Sequence, residues 1–154
     1  MATRRSEAEA LRIAYGAGLV VKSEVIAWAD AVVASEEHPE PLICEIATAS
    51  HVDPSELHLL LDAVPGAPDP TEVAELLLRS LRVRWQSGAM SVSEVARALY
   101  ALGQHDRCAF SANDQMKMLT FDDELGLAET GIYGDVARVT AEIDAFLSRR
   151  PPDA

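Results

Sequence analysis

Apolar residues recur at helical spacing in almost every segment of this chain, and Gly or Pro interrupts each run before it grows long. Ala8, Leu11 and Tyr15 mark a first helix that "GAG" should end, with Gly18 suited to a left-handed cap. A second helix capped by Ser23 carries Val25, Trp28, Ala29 and Val32 at i, i+3, i+4 and i+7. Pro41 opens a third with Leu42, Ile43, Ile46 and Ala47, and Asp53-Pro54 opens a fourth with Leu57, Leu60, Leu61 and Val64. After the proline-rich loop 65–70, Val73, Leu76, Leu77, Leu78, Leu81 and Trp85 spread over more than one face. That spread predicts a fifth, longest and central helix, about 71–87. Ser91 or Ser93 caps a sixth, with Val95, Ala98, Leu99 and Leu102 inward. A seventh buries Met116, Leu119 and Leu125, and an eighth buries Val136, Val139, Ile143, Phe146 and Leu147.

No segment alternates apolar and polar residues as a half-buried strand would. The expected class is therefore all-α: a helical bundle or a short stack of αα-hairpins, with seven or eight helices of 10 to 17 residues. At 154 residues the simplest organisation is one helical domain over 1–150 with a flexible tail, 151–154.

One stretch is echoed. "LRIAYGAGLVVKSEV" (11–25) returns as "LRVRWQSGAMSVSEV" (81–95), with Leu, Arg, Gly, Ser, Glu and Val identical at matched places. Both copies spell a helix end, a terminating glycine, a short link and a Ser-capped helix with Glu just inside. A third Ser-Glu pair at 55–56 sets spacings of 32 and 38, the size of a helix-turn-helix repeat. A duplicated hairpin and shared capping grammar both account for this. Either way the echo concerns fold rather than chemistry.

Charge is the other marked feature. From Ser23 to Leu78 there are twelve acids and no Lys or Arg, so this block equals the whole net charge of -12. Surface helices normally mix signs, which limits self-repulsion. The block therefore predicts an anionic face for a basic protein partner, with Glu36, Glu37, Glu40, Asp62, Asp69, Glu72 and Glu75 as contacts because they lie in loops or at helix starts. The competing account is a solvated surface on which several acids serve only as caps. Nucleic acid is disfavoured, since phosphate binding needs clustered cations.

Enzyme chemistry finds little footing. Cys44, His51 and His58 are seven apart, but Pro54 divides them between helices, and neither C-x-x-C nor H-E-x-x-H occurs. His105 and Cys108 are the one compact Cys/His pair, without an evident oxyanion site. Asp122-Asp123-Glu124 reads as the wet side of a helix. No metal, cofactor or catalytic residue is expected. The absence of a secretory h-region or a membrane-length apolar run, and two unpaired thiols, point to the cytoplasm.

"GLVVKSEVIAWADAVVASEEHPEPLICEIATAS" (18–50), with "SGAMSVSEVARALYALG" and "DDELGLAETGIYGD", resembles small all-helical immunity proteins of bacterial polymorphic toxin systems. The likeness covers about half the chain and has no diagnostic motif, so it transfers no residue role by position. It implies a non-enzymatic inhibitor that neutralises a toxin domain by binding. The alternative from a different class is a self-associating helical adaptor, monomer or homodimer, built on the apolar face of residues 73–85.

Overall fold

The computed structural model describes residues 2–149, so the expected tail at 151–154 lies outside the described residues. Among the described residues the chain is all-helical, with eight helices: α1 (Arg4–Gly16), α2 (Lys22–Ser35), α3 (Pro41–Ala47), α4 (Pro54–Asp62), α5 (Pro70–Gln86), α6 (Val92–Gly103), α7 (Ala112–Glu129) and α8 (Val136–Ser148). No helix is long and apolar enough to cross a membrane. The chain forms two compact units, Met1–Val73 and Ala74–Ala154.

In the first unit α1 packs on α2 and α4, α2 on α3, and α3 on α4, which closes four helices into a ring. Its core is Ala8, Ile13, Val25, Ala29, Val32, Ile43, Ile46, Leu57 and Leu61. Asp53 caps α4 by accepting from the Glu56 amide at 2.9 Å, and Pro54 follows at the first position, where a missing N–H costs nothing. Leu11, Tyr15, Trp28 and Leu60 are only half-buried. The deeper face of α1 includes two ionisable side chains, Arg5 and Glu9, which the apolar pattern did not reveal.

In the second unit α6 packs on α7 and α7 on α8. Ser91 caps α6 by accepting from the Glu94 amide, and Glu94 reaches back to the Ser91 amide, so two unpaired donors are satisfied reciprocally. Gly103 lets the helices approach closely: a Cβ there would lie 3.2 Å from both Leu119 and Met118. The face of α7 is Met118, Phe121 and Leu125, whereas Met116 is 66% exposed and not in the core. Phe121 meets Phe146 of α8 edge-on, with ring centroids 5.7 Å apart.

Three further expectations are corrected. α7, at 18 residues, is longer than α5, at 17, while α3 and α4 have seven and nine. Ser23 does not cap α2: the helix starts at Lys22, and the Glu24 carboxylate accepts from the Val21 amide at 2.7 Å. The 73–85 face is not an open dimer surface, because Val73, Leu77, Leu78 and Leu81 are each at most 2% exposed within the chain.

The echo has one structural meaning. Gly18 and Gly88 both take φ of +76°, and each closes a Schellman cap. At the first, Leu19 donates to the Ala14 carbonyl (2.8 Å) and Gly18 to Tyr15 (3.2 Å); at the second, Ala89 donates to Arg84 (3.0 Å) and Gly88 to Trp85 (3.2 Å). The same device ends α7, where Gly131 has φ of +73° and Ile132 donates to Leu127. What repeats is the way a helix stops.

Candidate protein-binding surface

The acidic block is laid out around the start of α1. Arg4 donates from Nε to Glu36 at 2.7 Å and also holds Glu7. Those two carboxylates, Glu7 first, keep the Arg4 guanidinium protonated beyond its ordinary range. Arg5, 6% exposed, donates to the Leu61 carbonyl at 2.6 Å, to Glu9 at 2.9 Å and to Asp62 at 3.4 Å. Arg12 closes on the buried Glu9 with two bonds, 2.6 and 3.0 Å, and stands 3.8 Å from Asp62. The Thr3 amide donates to Glu72, and the Ser6 hydroxyl accepts from the Asp69 amide.

Each expected contact residue can therefore be placed. Glu36 and Asp62 are ion-paired to arginines of α1. Glu72 receives an amide from the segment ahead of α1, where the positive end of the helix also favours anions. Glu40 caps α3 by accepting from the Leu42 amide, and Asp69 accepts from the Thr71 and Glu72 amides at the head of α5. Glu37 projects into solvent, its side chain 92% exposed. Glu75 is half-buried and belongs to the second unit. The structure thus gathers Glu36, Asp62 and Glu72 about α1, while Glu37 stands apart.

Lys22, the cation just before the block, is also engaged, donating to the backbone carbonyls of Val52 and Ser50. The block as a whole still carries acids on its surface: Asp30 on α2, Glu45 on α3 and Glu56 on α4 are exposed alongside Glu37. A long-range effect of the sequence pattern is visible here. Cations missing locally are supplied from positions 32 to 57 residues away, which no short window of sequence could show.

The enzyme-like candidates have plain settings. His58 packs on α1, its ring 5.2 Å from that of Tyr15 and close under Gly16. His105 and Cys108 lie in the link between α6 and α7 rather than on a helix, and the His105 Nδ1 accepts from the Arg107 amide. Neither Cys44 nor Cys108 is in a disulfide, and both are half-buried. Among the described residues no three His, Cys, Asp or Glu side chains cluster as a metal would require. No protein-family model matches the chain, and no curated protein or solved structure is significantly similar to it.

Proposed function

We propose that this protein is a non-enzymatic binding protein, an immunity- or antitoxin-like inhibitor whose acidic surface receives a basic protein partner in the cytoplasm. One observation supports this reading above others: in a 56-residue block without a cation, Glu37, Asp30, Glu45 and Glu56 remain at the surface after α1 has engaged Glu36 and Asp62. Such a surface chiefly accelerates encounter and selects partners of opposite sign. Glu37 is the freest of the original seven, whereas Glu40 and Asp69 would have to cap a helix and meet a partner at once.

The test begins with capture from a native extract at low salt and elution at high salt, followed by identification of the retained protein. The reading expects a basic protein whose association with purified chain slows by about tenfold or more when Asp30, Glu37 and Glu45 are reversed to Lys, with a shallower salt dependence. A captured protein that binds the reversed chain at an unchanged rate across the salt series would refute it.

A further inference from the structure

The loop between α7 and α8, "TGIYGD", holds two large apolar side chains in water. Ile132 is 73% exposed and Tyr133 is 76% exposed. Their backbone is fixed: Ile132 and Tyr133 both donate to the Leu127 carbonyl, at 3.0 and 3.2 Å, and Gly131 and Gly134 hold φ of +73° and +84° on either side. Leu127 and Val136, 39% and 36% exposed, flank the pair.

The chain contains its own control for this feature. In a Schellman cap the residue after the left-handed glycine usually folds its apolar side chain back onto the helix. Leu19, in that position after Gly18, is 7% exposed. Ile132 is in the same position after Gly131, with the same hydrogen bond to the carbonyl five residues back, and points outward. The cap geometry is kept while its usual apolar contact is given up.

The surroundings indicate what would cover the pair. A cleft of about 210 Å³ opens beside Tyr133, and its wall carries the carboxylates of Glu124, Asp135 and Glu142. Its one guanidinium, Arg138, already donates to Glu142 at 3.2 Å. From 120 to 145 the sequence has seven acids and that single base. A second copy would bring identical anionic rims together about a two-fold axis, on a chain of net charge -12.

We propose that Ile132 and Tyr133 form a preorganised knuckle that docks into an apolar socket rimmed by Lys or Arg on a partner protein. The exposed Tyr is the anchor, since rigid aromatics at the centre of an interface carry disproportionate binding energy and lose little freedom on docking. The cleft carboxylates receive the rim cations. This rests on the partner being basic, as proposed above, but places a docking point in the second unit rather than on α2 and α3.

The test uses the full chain and a defined probe, a fluorescent 14-residue amphipathic peptide of Leu and Lys. Controls are oligolysine of equal length and the matching Leu/Glu peptide. Expected results are saturable binding of the Leu/Lys peptide, amide NMR shifts concentrated at 127–136, and about tenfold or greater weakening in both Ile132→Ser and Tyr133→Ser. Glu124→Gln with Glu142→Gln should weaken binding and flatten its salt dependence. Oligolysine binding as tightly as Leu/Lys, or shifts centred on 30–45, would overturn the knuckle while leaving a basic partner in place. Equal binding of the Leu/Glu peptide would overturn the basic-partner reading itself. Sedimentation showing a dimer dispersed by Tyr133→Ser would assign the surface to a second copy and overturn the proposal.

Discussion

Replacing Glu9 with alanine probes the ion cluster that holds the first unit together. The Glu9 carboxylate is fully buried and accepts from Arg5 at 2.9 Å and from Arg12 at 2.6 and 3.0 Å. Alanine leaves Arg5 with the Leu61 carbonyl at 2.6 Å and with Asp62 at 3.4 Å, and leaves Arg12 with Asp62 at 3.8 Å. Removing one member of a buried ionic cluster costs about 3–5 kcal/mol, because a desolvated charge is stranded. Asp62 is half-exposed and offers a screened substitute, which puts the expected loss at the lower end, about 3 kcal/mol. In thermal unfolding that corresponds to a midpoint lowered by at least about 6 °C. The assay is urea and thermal unfolding followed by the fluorescence of Trp28, whose indole donates to Glu7 of α1, in a Trp85→Phe background. Glu9→Gln keeps the volume and one acceptor and should fall between the two. A Glu9→Ala loss below about 1 kcal/mol would mean that the cluster gains no more than it costs to desolvate, and the reasoning would fail.

Gly18→Ala and Gly88→Ala should each destabilise by about 1 kcal/mol, measured in urea, because nothing lies within 4 Å of either Cβ and only the positive φ resists the change. Unequal costs beyond about 1 kcal/mol would deny that the two caps are equivalent. Ser91→Ala should cost about 1 kcal/mol by losing the cap of α6, while Ser23→Ala, on the exposed first turn of α2, should change stability by less than about 0.5 kcal/mol. Gly103→Ala should cost about 1–3 kcal/mol by forcing α6 from α7, read as a lowered midpoint in the Trp85 signal.

Helix starts and stops were legible because they are local. Asp53-Pro54, Pro41, Ser91 and the glycines at 18 and 88 each declare a backbone need that a few neighbouring residues satisfy. Ser23 misled because the helix begins one residue earlier, at Lys22, and Glu24 reaches back from inside it to the Val21 amide. Met116 misled because its neighbour Met118 is two residues away; counting back from Phe121 and Leu125 would have given 118. Arg5 and Glu9 look like an ordinary solvated i,i+4 pair until Leu61 and Asp62 arrive from α4 to bury them. The acidic contacts were legible as charge but not as placement, since the arginines that occupy Glu36 and Asp62 come from a helix outside the block. The outward pair at Ile132 and Tyr133 read only as a turn, and its exposure is a property of tertiary structure.

The order in which the buried cluster can assemble follows from its addresses along the chain. Arg5, Glu9 and Arg12 lie within eight consecutive residues, so a nascent α1 can pair its own charges as soon as it leaves the ribosome. Leu61 and Asp62 are translated some fifty residues later, and only their arrival from α4 supplies the remaining acceptors of Arg5. The cluster therefore closes only after the long anionic stretch between its two parts has been made.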